Sequence, residues 1–396
     1  MGYRKIQADR LFDGEKIWDS PAVLICSDTG IIEAILSEED AGEGIERHEG
    51  LLCPGFVNTH CHLELSHMAG VIPPHSGMID FLLQVMGMRG EGGVADPNSA
   101  ARAADQQMQA GGIVAVGDIS NNISSLPVKA GSSLYYHNFI EVSGFNPDRA
   151  EDRLQQARQV YNGMSRVFGE DCVSLVPHAP YSVSKPLFEA LNTAGQHKCL
   201  SIHNQESEAE NQFYQSKEGD FLRLYATLGL NLDFFSPYRA SSLGTYIPWL
   251  SLPGSILLVH NMATSRADIA LAQAQAAALR QEHFWCLCPR ANLYIQQSLP
   301  PVSLLREAGC TITLGTDSLA SNESLSILAE MKTIGDHFPE IPLSELLQWA
   351  TANGSKALHI ADRFGKFDPG KQPGILLIRR LDEDKITENT SVSRWL

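Results

Sequence analysis

Cys53-Pro54-Gly55-Phe56-Val57-Asn58-Thr59-His60-Cys61-His62 is the stretch from which the rest of the chain can be read. It opens as an apolar run, Leu51 to Val57, behind a Pro-Gly turn, and closes on two histidines one residue apart. Residues i and i+2 of an extended strand share a face. His60 and His62 therefore point one way and Cys61 the other. Two imidazoles converging at a strand end suit a divalent metal, because neutral histidine is the commonest metal ligand. Alone, an H-x-H triplet reads more often as ordinary surface or core histidines. Here the polar residues arrive only at the end of a buried-looking strand, which favours the ligand reading.

Short apolar runs recur after this one: Leu52–Val57, Ile113–Val116, Leu134–Ile140, Val173–Val176, Cys199–Ile202, Ile256–Val259, Phe284–Leu287 and Cys310–Leu314. Stretches of helical period lie between several of them: Asn98–Ala110, Ala150–Phe168, Lys185–Gly195, Ala267–Glu282 and Ser344–Leu358. Continuous apolar strands are the mark of parallel sheets covered on both faces by helices. The alternation predicts an α/β fold, a (β/α)₈ TIM-like barrel over residues 53–364. A polar residue follows each run. His60 and His62 follow the first, Asp118 the second, Glu141 the third, His178 the fourth, His203 the fifth and His260 the sixth. Cys288-Pro289-Arg290 follows the seventh and Asp317 the eighth. Barrel enzymes build their active sites at the C-terminal ends of the strands. A random scatter of 13 histidines would rarely place so many there.

The chain has 396 residues, 43% of them hydrophobic, enough for a large core. Its net charge of −16 comes without a basic stripe, which argues against nucleic acid as a partner and leaves a small molecule as the expected ligand. The 8 scattered cysteines include no C-x-x-C pair and suit a reduced cytoplasmic protein. No apolar run reaches the ~18 residues of a membrane span. Assembly into a homo-oligomer is left open.

Residues 1–52 and 365–396 lack helical period and read as one composite β-domain, a small β-sandwich built from both chain ends. Within it, Ser37 to Glu49 reads as an exposed acidic loop. Residues 207–250 form a long insertion rich in aromatics, including Phe213, Tyr214, Phe221, Tyr225, Phe234, Phe235 and Trp249. Either it lies over the barrel mouth, or its aromatics pack a small core of their own.

The stretches PGFVNTHCHLE (54–64), HAPYSVS (178–184), HNQE (203–206), LVHN (258–261), CPRANLYI (288–295) and LGTDSLASN (314–322) together resemble the amidohydrolase superfamily. They are most similar to its mononuclear-metal nucleobase and nucleoside deaminases, a branch that includes adenosine-type, S-adenosylhomocysteine and aminodeoxyfutalosine deaminases. His-Leu-Glu-Leu-Ser at 62–66 points first to the aminodeoxyfutalosine type. Related chlorohydrolases share the frame. Two-metal members carry a carboxylated lysine after the fourth strand, where this chain has Val176-Pro177-His178, so one metal is expected. Pro373-Gly374 stands where members usually carry Ala-Asp, remote from the site.

The resemblance implies His60, His62, His203 and Asp317 as metal ligands. Three imidazoles and a carboxylate suit zinc and also accept iron(II) or manganese(II). Glu206 is the expected proton shuttle; the bland reading is a glutamate at a helix start. His260 is expected to orient the attacking water, or to ligate a further metal. Asp317 would combine ligation with proton removal, since a carboxylate has two oxygens. His178, Glu64 and Arg290 are candidates for substrate contact. Glu64 reads equally as a surface residue and Arg290 equally as an outward salt bridge. Cys286 and Cys288 read as barrel packing. The implied activity is hydrolytic deamination of an aromatic nitrogen heterocycle with release of ammonia. The alternatives are a hydrolase of the same frame with another leaving group, chloride or amidase-like, and a non-catalytic ligand-binding barrel.

Overall fold

A computed structural model describes residues 2–18, 21–88, 96–194, 199–252 and 254–396. The first strands are β1 (Tyr3–Leu11), β2 (Ala22–Ser27), β3 (Ile32–Ser37), β4 (Glu46–Pro54), β5 (Phe56–Cys61), β6 (Ile113–Ser120) and β7 (Tyr135–Val142). There follow β8 (Val173–Pro177), β9 (Cys199–Asn204), β10 (Gly254–His260), β11 (Gln281–Leu287), β12 (Thr311–Leu314), β13 (Ile375–Arg379) and β14 (Ser391–Arg394). Strands β5 to β8 and β9 to β12 form two four-stranded parallel sheets.

Two seams close these sheets into the barrel, and both run through histidines. At one, His203 N–H donates to His178 O at 2.9 Å. At the other, Thr316 and Asp317 N–H both donate to His60 O at 3.0 Å. The Asn58 amide reinforces the second seam, donating to Thr316 Oγ1 at 2.8 Å and accepting from Thr316 N–H at 3.1 Å. The residues that close the barrel are therefore neighbours of those that line its mouth. Cys286 and Cys288 are fully buried beside Gly315 and pack the interior.

The opening apolar run does not form one strand, as expected, but two. Strand β4 ends at Pro54 in the terminal sheet and β5 starts at Phe56 in the barrel, with Gly55 at the crossing. A Cβ on Gly55 would stand 2.3 Å from Val114 Cγ1 and 2.7 Å from Pro373 O, closer than atoms pack. Gly55→Ala is expected to destabilise the fold by about 1–3 kcal/mol through overpacking, read as a lower denaturation midpoint.

Both chain ends meet in a six-stranded sheet of order β14-β13-β4-β1-β2-β3, a single sheet and not two facing ones. Alternation explains why one sheet suffices. Leu51, Cys53, Leu376 and Ile378 point into the barrel-side core, while Leu52, Ile375 and Leu377 join Ile6 and Leu24 on the other face. The acidic segment 37–49 is ordered and not a loop. Ser37 caps the helix Glu38–Ala41, and β4 begins at Glu46 beside β1. Arg4 pairs with Glu46 and Arg47 with Glu38, so the charge that suggested a loop is matched across the strands.

Helices occupy Pro97–Ala110, Ala150–Phe168, Lys185–Ala194 and Arg266–Leu279. Gly195, expected to end the third of these, lies outside the described residues. The helix expected over Ser344–Leu358 is two, Leu343–Ala350 and Ala352–Ala357, broken at Thr351. The insertion is helical, with Glu208–Ser216, Phe221–Thr227 and Ser242–Tyr246. Phe213, Tyr214, Phe221, Tyr225 and Phe235 are buried, but not only among themselves. Their cluster includes Leu65, Met68, Ile72, Phe81 and Val85 from the segment after β5, and Phe145 and Tyr181 from barrel loops. Among the described residues, no helix is long and apolar enough to cross a membrane.

Candidate metal centre and active site

His60 lies in β5 and His62 just beyond its end, and both side chains turn to the same point. His62 Nε2 is 3.2 Å from His60 Nε2 and 3.3 Å from His203 Nε2. Asp317 Oδ1 approaches the same nitrogens, 3.7 Å from that of His60 and 3.5 Å from that of His62. All four side chains are buried. The Nδ1 atoms of His60 and His62 are buried with no hydrogen-bond partner among the described residues. His203 Nδ1 lies 2.8 Å from His178 O, an acceptor that requires the proton on Nδ1 and frees Nε2. Burial, reinforced by the neighbouring His60, holds His62 well below the usual imidazole range, so it stays neutral. Three imidazoles whose Nε2 atoms face one another are a donor set for a cation. His60, His62 and His203 form a histidine-rich metal site.

Asp317 has a left-handed backbone, φ 55°, as do Gln205 (47°), His260 (75°) and Asn261 (64°). Non-glycine residues adopt this costly conformation at helix ends and turns as well as at functional sites, and here each of the four turns the chain sharply at a strand end. Ser321 Oγ donates to Asp317 Oδ2 at 2.6 Å and fixes the carboxylate. Burial works against its charge, but His60, His62 and His260 outweigh it and hold the carboxyl below the usual range.

Glu206 and His260 sit beside this cluster, with Glu206 Oε2 3.8 Å from His260 Nε2. Burial pushes the Glu206 carboxyl up to about 8, aided by Asp317 and Glu141 and opposed by a hydrogen bond from Tyr181. Burial also lowers His260 to about 3, so it is a neutral imidazole. Its Nδ1 lies 3.3 Å from Asn292 Nδ2, which orients the ring. Glu206 is not the first-turn glutamate of a helix. The following helix starts at Glu208, and it is Glu210 that accepts from the backbone there.

His178 faces a cleft of about 390 Å³ that also reaches Asn121, Glu141 and Tyr181. Its Nδ1 is 2.5 Å from Ser182 Oγ and its Nε2 3.9 Å from Glu141 Oε1. Glu64 is buried and not on the surface, with both oxygens accepting from Asn121, one from N–H at 3.1 Å and one from Nδ2 at 3.0 Å. Arg290 is not brought to the cleft. It points outward, its guanidinium donating to Asn322 Oδ1 at 3.1 Å and to Glu323 Oε2 at 2.9 Å. It begins a helix whose direction depends on the loop that arrives some thirty residues later, which the local sequence does not reveal.

Three residues at the site carried no expectation of a role. Glu141 stands 3.3 Å from His203 Nδ1, and its place after the third run was the available signal. Tyr181 donates to Glu206 Oε1 at 2.7 Å, and Ser321 holds Asp317. Both lie within stretches that carry the family resemblance, 178–184 and 314–322, but nothing in those stretches assigned them a partner. Asp118, by contrast, turns inward to a buried ion pair with Lys129 and accepts from Leu63 N–H at 2.8 Å.

A buried imidazole and carboxylate cluster at the C-terminal mouth of a parallel barrel defines a metal-dependent hydrolase. Residues 51–394 match the Amidohydrolase family, and the chain belongs to that family. A 5-methylthioadenosine/S-adenosylhomocysteine deaminase of Teredinibacter turnerae is 25% identical over 362 residues, 87% of this chain and 75% of that protein. The crystal structure of Helicobacter pylori aminofutalosine deaminase with methylthio-coformycin superposes with a TM-score of 0.79 at 22% identity, covering 97% of this chain and 93% of that one. That of a zinc-bound adenosine deaminase from Xanthomonas campestris gives 0.69 at 19% identity, covering 94% and 84%. At these identities the two structures establish the shared fold.

Proposed function

We propose that the protein is a hydrolytic deaminase of adenine-type nucleosides. The single observation that carries this is Glu206, a buried carboxyl raised to about 8 beside a histidine metal site. Such a group is protonated at neutral pH and can act as an acid. The names of the relatives, deaminases of adenosine and its thioether derivatives, support the same class.

His60, His62, His203 and Asp317 would hold the cation, zinc first among the metals they suit. When bound, it supplies Lewis acidity and lowers the pKa of a coordinated water from 15.7 towards ~7. The chain's own groups do the rest. Neutral His260, whose Nδ1 accepts from Asn292 Nδ2, carries its proton on Nε2, donates it to the oxygen of the attacking water and so aims the water. Asp317 takes the water's proton. Glu206 gives its proton to the ring nitrogen as oxygen adds to the amino-bearing carbon. Asp317 then passes the water's proton to the amino group, which leaves as ammonia, while the hydroxyl proton of the adduct goes to Glu206 and restores its acid form as the carbonyl forms. His178 lines the cleft and would contact the substrate's ring or sugar.

The cleft supports a nucleoside with an apolar or aromatic substituent. Leu82, Val85, Phe145, Leu224 and Tyr225 line it, and Arg149 and Arg153 stand at its rim, where a substrate carboxylate would be received in place of the Arg290 contact first expected. The test is ammonia release from adenosine, methylthioadenosine, S-adenosylhomocysteine, aminodeoxyfutalosine and guanine, with zinc and with a chelator. Release from none of the adenine nucleosides by the zinc-loaded protein would refute the proposal.

A pH dependence follows. Glu206 acts as its protonated form, so kcat is expected to fall as pH rises through the acid's pKa. That value is about 8 without a cation, and a neighbouring positive charge lowers it, so the alkaline limb should lie at or below about 8. A rate that keeps rising to pH 10 would contradict the assignment.

A further inference from the structure

Glu206 is gripped at both ends. Its N–H donates to Glu210 Oε2 at 3.0 Å, and the N–H of Gln205 donates to Glu210 Oε1 at 3.1 Å. At the other end, Tyr181 O–H donates to Oε1 of Glu206 at 2.7 Å. An oxygen that already accepts a phenol proton is the poorer place for the acid's own proton, because a neutral carboxyl accepts best at its carbonyl oxygen. The acid proton is thereby sent to Oε2, the oxygen that faces His260.

Tyr181 is itself braced. Tyr225 O–H donates to Tyr181 O at 2.6 Å, and Tyr214 O–H donates to Pro180 O at 2.7 Å. Both tyrosines belong to helices of the 207–250 insertion, Tyr214 in Glu208–Ser216 and Tyr225 in Phe221–Thr227. All three rings are buried. Burial also holds the Tyr181 phenol well above its usual range, so it remains a donor throughout the working pH.

We propose that Tyr181 is a positioning residue that places the acid proton of Glu206 on Oε2, and that the insertion holds Tyr181 in place through Tyr214 and Tyr225. The part concerning turnover rests on the deaminase reading; the part concerning the orientation of the carboxyl does not. On this account the insertion's tyrosines support the proton donor, besides packing the cluster they share with the segment after β5.

Tyr181→Phe tests it. The loss of one hydrogen bond to an ionisable group is expected to lower kcat by about 10–100-fold. KM and zinc content should stay within about twofold of wild type. Its crystal structure should show the Glu206 carboxyl rotated from the orientation that faces His260. Wild-type kcat, or a loss of zinc and KM together with kcat, would overturn the proposal, as would an unmoved carboxyl. If the wild-type protein deaminates nothing, the functional reading fails, and the carboxyl orientation in Tyr181→Phe still decides this inference. Tyr225→Phe covers the case in which Tyr181→Phe does not fold. A several-fold drop in kcat, or a displaced Tyr181 ring in its crystal structure, with zinc retained, supports the brace. Wild-type turnover with the ring in place overturns it.

Discussion

Glu206→Gln is expected to keep its metal and lose about 10²–10⁴-fold in kcat. The amide is close to isosteric, so the packing around residue 206 survives. It can still hydrogen-bond Tyr181 through its carbonyl oxygen. What it cannot do is carry an acid proton to the ring nitrogen. Glu206 is no member of the set His60, His62 and His203, so zinc bound per chain should not change. KM should change little, because the proton moves only as the transition state forms. Turnover assays with zinc determined on the same sample check this. Unchanged kcat would remove Glu206 from the mechanism, and loss of zinc would make it a ligand.

His62→Ala is expected to abolish both zinc binding and turnover. His62 Nε2 sits between the other two imidazoles, 3.2 and 3.3 Å away, so its loss opens the centre of the cluster. A catalytic metal supplies several kcal/mol of transition-state stabilisation, so kcat/KM should fall on the order of 10³-fold or more. The contrast in thermal stability is the sharper readout. A ligand present at 100 times its Kd stabilises the folded state by about 2.7 kcal/mol. Zinc should therefore raise the melting temperature of wild type and leave that of His62→Ala where it was. Equal shifts in both proteins would place the metal elsewhere.

The runs from Ile113 to Leu314 were legible because a strand buried on both faces is mostly apolar, although His137, Asn138, Ser174, Ser201 and Thr313 interrupt them. The residue that ends each run was legible because a barrel presents its polar groups at the C-terminal mouth of the strands. His60, His62, His203 and Asp317 lie together at that mouth; it was the family resemblance, and not the strand-end pattern, that singled out these four. The Pro54-Gly55 turn was legible, but not that it divides the run between two sheets, because the strands before and after it are both apolar. Nor was the order in segment 37–49, where charge looked like solvent exposure until Arg4 met Glu46 from the first strand and Arg47 met Glu38 within the segment.

The succession of barrel strands and helices, and the polar residues at the strand ends, is determined by the sequence alone, because burial and local hydrogen bonding act within a few residues. What each polar side chain then faces was decided only by the tertiary structure. Arg290 turns out to Glu323, Glu64 turns in to Asn121, and Tyr181 reaches Glu206 while Tyr225 of the insertion holds its backbone and Tyr214 that of Pro180. A hydrogen bond requires its two partners within about 3 Å. For partners tens of residues apart, no local pattern encodes that distance, and only the closed barrel brings it about.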